Sequence, residues 1–145
     1  MRILFLILFF TPTLLYADFI RGAWEIQSFV GSQSFAKARP IIGKYQSFDG
    51  GWAGGVFYNC DFAGQVMTYT KYSLEQFLAN KEFDVFKKYA KELEFDSNDI
   101  FVHRISCNGK KDEDRALIYP FVTTDKRKKA YYLFEEAIYI LKHSK

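Results

Sequence analysis

The chain has 145 residues, a formal net charge of +3 and 49% hydrophobic residues. This length suits one domain and leaves no room for a second hydrophobic core. The small charge excess argues against a nucleic-acid-binding protein, and the apolar content is too high for a disordered chain.

The first seventeen residues are typical of a secretory signal peptide. Arg2 supplies a positive start, Ile3 to Phe10 are apolar without interruption, and Ala17 offers a small residue for cleavage. The apolar run is shorter than the roughly 20 residues that a membrane-spanning helix needs, although a retained anchor is the alternative. We therefore predict a periplasmic or secreted protein whose single mature domain is residues 18–145.

Cys60 and Cys107 are the only cysteines in the sequence. In an exported chain, two cysteines most simply form one disulfide. The bridge would close a loop of 46 residues. On the chain-entropy model, such a bridge contributes about 4 kcal/mol to the stability. Two free, buried thiols are the alternative.

The mature chain opens with short strands. Alternation of apolar and polar residues predicts a strand over Ala23 to Val30. The side chains predicted to share one face of it are Trp24, Ile26, Ser28 and Val30. Three further strands are predicted at Ile41–Phe48, Val56–Cys60 and Gln65–Tyr72.

Between these strands, Asp49–Gly55 carries four glycines around Trp52. We interpret this segment as a flexible hairpin loop. It lacks the Gly-Lys-Ser/Thr ending of a phosphate-binding loop. A large aromatic side chain on a glycine hinge also suggests a residue at the rim of a pocket or an interface. Trp52 is therefore a candidate binding residue, and a loop without a ligand is the alternative.

A helical period follows the strands. Ser73 and Gln76 have the spacing of a capping box, in which each side chain bonds to the backbone of the other. Apolar residues then recur at spacings of three and four as far as Leu93, with lysines on the opposite side. We predict one amphipathic helical segment over about residues 73–94, kinked or divided at Asn80.

Strand patterns return in the last third of the chain. The predicted strands are Ile100–Cys107, Ala116–Thr123, and a closing hairpin of Ala130–Phe134 and Ala137–Lys142. Pro120 predicts an edge or bulge position for its strand. Several strands are apolar on both faces, which indicates a sheet covered by a helix or curled into a small barrel. The predicted fold class is α+β, with a mainly antiparallel sheet or small barrel.

The sequence Gly22-Ala23-Trp24 at the head of the first strand resembles the opening of lipocalins and related calycin barrels. The wider pattern is similar to that of small periplasmic proteins of bacteria. The resemblance implies an up-and-down barrel in which Trp24 closes the bottom. It also implies a cavity above Trp24 that holds a small apolar ligand, so Trp24 is the second candidate binding residue.

Few residues in the sequence point to a metal site or to catalysis. Cys60, His103, Cys107 and His143 lack the closely spaced pairs of metal sites, and a disulfide would use both thiols. The chain also has no G-x-S-x-G motif. We predict no metal, no cofactor and no named catalytic residue. A hydrolase with paired carboxylates stays open because such pairs have no spacing rule. Asp112, Glu113 and Asp114 lie together in a predicted loop, and solvation is the favoured interpretation of that run.

The basic turn before the last hairpin is the remaining candidate for contact with a partner. It consists of Lys126, Arg127, Lys128 and Lys129. Solvation explains a charged hairpin tip, and contact with an anionic surface is the functional alternative.

We predict an exported, non-enzymatic binding module. Its ligand would be a small apolar molecule or an envelope protein, as for exported inhibitors of similar size. The alternatives are a periplasmic hydrolase that uses an Asp/Glu pair, and a structural envelope protein.

Overall fold

A computed structural model describes residues 20–32, 40–49, 52–57, 59–61, 68–104, 120–134 and 136–144. Within these ranges nine strands form one sheet. The strands are β1 (Gly22–Gly31), β2 (Tyr45–Phe48), β3 (Trp52–Gly55), β4 (Cys60–Asp61), β5 (Thr68–Ser73), β6 (Asp99–Arg104), β7 (Phe121–Thr124), β8 (Lys129–Phe134) and β9 (Ala137–His143).

Every strand pair in the sheet is antiparallel. The strand order is β4-β3-β2-β1-β9-β8-β7-β6-β5. Strands that are consecutive in the chain pair with each other except β4 and β5, and the first strand also pairs with the last. The sheet curls into a half-barrel whose edges are β4 and β5. The predicted α+β class with a mainly antiparallel sheet is confirmed.

The helical segment lies between β5 and β6. It consists of α1 (Leu74–Ala79), a 3-10 turn (Lys81–Phe83), α2 (Asp84–Lys88) and α3 (Ala90–Leu93). Asn80 separates the first two pieces because its backbone is extended and its side chain accepts a hydrogen bond from the Glu82 N–H (3.0 Å). The predicted helical segment and the break at Asn80 are both confirmed.

The predicted capping box is also present. The Ser73 hydroxyl oxygen accepts from the Gln76 N–H (3.1 Å), and the Gln76 side-chain oxygen accepts from the Ser73 N–H (3.0 Å). These two bonds satisfy backbone donors that a helix start would otherwise leave to water.

Replacing Ser73 with alanine is expected to lower the free energy of unfolding by about 1 kcal/mol, because the cap is lost. Urea denaturation followed by circular dichroism measures this change. The matched control is S73T, which keeps the hydroxyl and is expected to stay close to the wild type. Equal stability of S73A and S73T would contradict the role of the cap.

Buried side chains pack against both faces of the sheet. We call the face that carries Trp24 the inner face, and the face that the helices cover the outer face. The largest buried inner residues are aromatic, namely Trp24, Phe48, Phe121, Tyr132 and Tyr139. The outer cluster joins Phe77, Phe83, Phe86 and Leu93 of the helical segment to Ile100, Val102, Val122, Tyr131 and Ile138. The last strands are therefore buried on both faces, which explains their apolar sequence.

The prediction that Trp24, Ile26, Ser28 and Val30 share one face of β1 is wrong in its second half. The pairing of β1 with β9 shifts between Ile26 and Ser28, which is a β-bulge. Trp24 and Ile26 are inner residues, whereas beyond the bulge Phe29 packs on the inner cluster and Val30 on the outer one. The extra residue in the bulge reverses which side chains point to the inner face. The pattern of polar and apolar residues in β1 does not reveal this bulge.

The predicted flexible loop at Asp49–Gly55 is wrong over its last four residues, because Trp52–Gly55 forms β3. Gly50 and Gly51 lie outside the described residues. Ala53 pairs with Phe48 and both are buried on the inner face. Gly55 has a φ of 149°, and a Cβ there would lie 2.4 Å from the Tyr45 carbonyl oxygen. This glycine therefore permits close packing of two strands rather than flexibility.

Other strand boundaries shift by a few residues. Ile41 to Lys44 form a turn before β2, and Val56 and Phe57 form a bend rather than a strand. β7 begins at Phe121 and lies between β6 and β8, so the expected edge position of this strand is wrong. Pro120 directly precedes the strand, where its missing N–H removes no bond of the sheet.

Some predictions fall outside the described residues. These include the signal peptide over residues 1–17 and the side chains of both Cys60 and Cys107, so export and the disulfide stay predictions. Among the described residues, the structure contains no helix long and apolar enough to cross a membrane.

Candidate functional site

The two candidate binding residues, Trp24 and Trp52, lie on opposite faces of the sheet. Trp24 is 1% exposed and belongs to the inner cluster. Trp52 precedes the buried inner residue Ala53, so the pleat of β3 directs it to the outer face, where it is 48% exposed. The structure therefore does not bring the two tryptophans together in one site.

Trp24 is held by contacts on several sides. Its indole Nε1–H donates to the Ile20 carbonyl oxygen (2.8 Å). The Phe121 and His143 rings meet it edge-on, with centroid distances of 5.6 Å and 4.7 Å. Buried aromatic residues with this geometry and a satisfied N–H are typical of a core.

Other rings of the described inner face also pack against one another. Phe48 meets Phe121 at a centroid distance of 4.9 Å. Phe57 closes over this face at 4.1 Å from Tyr132 and 5.2 Å from Tyr139. A ligand at this place would have to displace several packed side chains, which is costly in a close-packed interior.

His103 is the titratable group of the inner face with the most perturbed pKa. It is 1% exposed and shares a 2.8 Å hydrogen bond with the Thr123 hydroxyl. Burial, and secondly the positive charge of Arg127, lowers its pKa to about 3. His103 is therefore a neutral, hydrogen-bonded core residue at physiological pH. Across the described ranges, no group of three His, Cys, Asp or Glu side chains is placed to hold a metal ion.

On the outer face, β2 and β3 carry an exposed apolar surface. We call Ile42, Tyr45 and Trp52 the outer aromatic surface, and their exposed fractions are 51%, 47% and 48%. The Trp52 ring lies against Gly54, because a Cβ on Gly54 would be only 2.0 Å from the indole Cζ3. Glycine thus lets the indole lie flat along the strand, which presents one broad side of the ring to solvent.

Charged side chains continue this outer surface across the sheet. Strand register aligns Tyr45 with Glu25, Glu25 with Lys142, and Lys142 with Lys129. Directly opposed residues of paired strands point to the same face. The row therefore runs from the exposed Tyr45 to Lys142 and then to Lys129, the last residue of the basic turn.

The basic turn borders two clefts. The first, of about 610 Å³, is lined by Glu25, Arg127, Lys128, Lys142, His143 and Ser144. The second, of about 620 Å³, has lysines on one wall, the acidic residues Glu92, Glu94 and Asp96 on the other, and an apolar floor that includes Leu93 and Ile140. Lys128 and Lys142 line both clefts.

Two hydrogen bonds from strand residues hold the acidic wall of the second cleft in place. The Thr124 hydroxyl donates to an Asp96 carboxylate oxygen (2.6 Å), and the Tyr131 hydroxyl donates to the Leu93 carbonyl oxygen (3.4 Å). Burial, followed by the charges of Asp96 and Glu94, raises the pKa of Tyr131 above its ordinary value. The tyrosine is a neutral donor at this position. The acidic loop over residues 112–114 lies outside the described residues.

Arg127 has a backbone conformation that is rare for its residue type. Its φ is 50°, and its N–H donates to the Thr124 carbonyl oxygen (3.1 Å) to close the turn. Glycine or asparagine normally occupies such a left-handed turn position, and another residue there costs about 1 kcal/mol. The turn thus carries an arginine where backbone geometry favours glycine.

No protein-family model, no curated protein sequence and no solved structure matches this chain.

Proposed function

We propose that the chain is an exported, non-enzymatic binding module that binds an envelope protein through its outer aromatic surface. The observation that supports this function most is the position of Trp52 and Tyr45. Both side chains are about half exposed. Among the described residues, no helix covers this part of the sheet. Tryptophan and tyrosine are the residues that most often anchor protein interfaces.

The charge around this surface suggests the chemistry of the partner. Lys44 is exposed beside Tyr45, and Lys142 lies one strand beyond Glu25 in the same row. A partner that places an apolar side chain on Trp52 and carboxylates near the two lysines would be complementary. The partner is therefore an envelope protein with an acidic margin.

The ring packing on the described inner face favours a surface contact over the small apolar ligand that the lipocalin resemblance implies. Trp24, which the resemblance places at the floor of the cavity, packs against Phe121, and Phe57 packs over Tyr132. Large ligand pockets are usually preformed and lined by side chains with room between them. Binding on the outer face requires no such rearrangement.

The experiment is photo-crosslinking from position 52 in envelope extracts. A photoreactive phenylalanine at Trp52 is compared with the same group at Glu75, which is exposed on α1. We expect a crosslinked protein from position 52 and none from position 75. Unlabelled wild-type protein should compete for it, whereas W52S should compete at least tenfold less well.

Two outcomes would contradict the proposed function. Equal crosslinking from positions 52 and 75 would show non-specific contact. Full competition by W52S would show that the indole contributes nothing to recognition, which would leave a structural envelope role.

A further inference from the structure

We propose that the cleft beside the basic turn is a binding site for a phosphate-type oxyanion. The site adjoins the outer aromatic surface and shares Lys142 with the charged row that continues from it. It lies at the end of the sheet where β1 begins, β9 ends and the β7–β8 turn closes. This site would give the module a second, charge-based contact with its surroundings.

The first argument is the charge of the lining. Arg127, Lys128 and Lys142 contribute three cations to the cleft, and Glu25 contributes one carboxylate. Lys128 and Lys142 form no ion pair within the part of the chain that the structure describes. A concave surface with excess positive charge concentrates anions.

The second argument is the geometry of the donors. Lys128 comes from the β7–β8 turn, whereas Lys142 and the Ser144 hydroxyl come from the end of β9. The His143 N–H donates to the Lys128 carbonyl oxygen (3.0 Å), which ties the two segments together. Donors on two connected segments can reach different oxygens of one tetrahedral anion.

The third argument is the conformation of Arg127. Its positive φ destabilises the turn relative to glycine, yet it places a guanidinium beside the cleft. A guanidinium offers several N–H donors in a planar arrangement that matches two oxygens of a phosphate group. Strained residues of this kind concentrate at ligand sites.

The size of the cleft and its exposure to solvent indicate which kind of phosphate ligand it would bind. A cleft of about 610 Å³ is larger than one phosphate group and open to solvent. It therefore suits a phosphate carried on a larger body, such as a lipid headgroup or a phosphate-bearing polymer. These sources share the same anion, so one probe can test the chemistry and a second can identify the source.

The first probe is inorganic phosphate, titrated into 15N-labelled protein at low ionic strength. We expect saturable shifts of the amide signals of Lys128, Lys142, His143 and Ser144, and weaker binding as salt increases. In R127G and K142A the affinity is expected to fall about fivefold or more. E25Q, which removes the carboxylate, is expected to bind about threefold more tightly.

The matched control is K126A. Lys126 is exposed on the same turn but does not line the cleft, so its removal takes away one positive charge and no contact. We expect its affinity to stay within about twofold of the wild type. R127G is also expected to melt at the same or a higher temperature than the wild type, because glycine suits the turn. K142A keeps the test valid if R127G unfolds.

The second probe is a vesicle sedimentation assay. Vesicles of phosphatidylcholine with phosphatidylglycerol are compared with phosphatidylcholine alone. Binding only to the anionic vesicles, with the same variant pattern, supports a lipid headgroup. Free phosphate binding without vesicle binding supports a soluble or polymer phosphate. The proposal is overturned if neither probe binds, or if K126A weakens binding as much as K142A does.

Discussion

Replacing Trp24 with alanine is expected to lower the free energy of unfolding by about 3–5 kcal/mol. The indole is 1% exposed, and its removal leaves a cavity between Phe121 and His143. It also leaves the Ile20 carbonyl oxygen without its 2.8 Å donor. Small domains are stable by only about 5–15 kcal/mol, so W24A would be close to unfolding at physiological temperature. Chemical denaturation measures the change.

The controls for this prediction separate packing from hydrogen bonding. W24F keeps most of the ring contacts and loses the indole donor, so we expect an intermediate loss of about 1–3 kcal/mol. W52A removes an equally large ring from an exposed position and is expected to change stability by less than about 1 kcal/mol. Comparable losses for W24A and W52A would contradict the assignment of the two tryptophans to core and surface.

Acid is expected to destabilise the protein through His103. The folded-state pKa is about 3, whereas the unfolded chain has the ordinary value of 6.5. Between these values the unfolded chain binds a proton that the folded protein excludes. Stability therefore falls as pH decreases below 6.5, by about 1.4 kcal/mol per pH unit, until the folded-state pKa near 3 is reached.

Urea denaturation of the wild type and of H103Q at several pH values isolates this contribution. The glutamine variant keeps a polar group near the Thr123 hydroxyl but does not titrate. Carboxylates titrate in both proteins, so the difference in slope between pH 6.5 and pH 4 reports His103 alone. Parallel stability curves for the two proteins would show that His103 is not a buried neutral group.

The fold class could be predicted because the strongest signals in the sequence are local. The capping box at Ser73 and the break at Asn80 depend on neighbouring residues and were confirmed. The apolar character of both faces of β8 indicated double coverage, and both clusters are present. Local propensity and tertiary packing agree in these segments, so either one identifies them.

The errors occurred where distant strands decide the local structure. The bulge after Ile26 depends on the register of β1 against β9, which the β1 sequence does not contain. Gly54 and Gly55 looked like loop residues because their neighbours in space, the Trp52 ring and the Tyr45 carbonyl, are not evident from composition. Pro120 was misplaced by a single residue at the start of a central strand.

The candidate sites show the same division. The role of Trp52 in binding stays a prediction, and its place on β3, on the face opposite to Ala53, required the sheet register. The basic turn is visible in the sequence as a run of four residues. Lys142 joins it only because β9 pairs with β8, and Glu25 only because β1 pairs with β9. Charge runs can be read from sequence, and clefts between strands cannot.

The most direct measurement is iodide quenching of tryptophan fluorescence before and after addition of the crosslinked partner in purified form. W52F serves as the reference in which only Trp24 emits. We expect iodide to quench Trp52 in the free protein, the partner to protect Trp52 in the complex, and Trp24 emission to stay unquenched in both. A complex in which Trp52 stays fully quenched while Trp24 emission changes would place the binding site on the inner face and contradict the account.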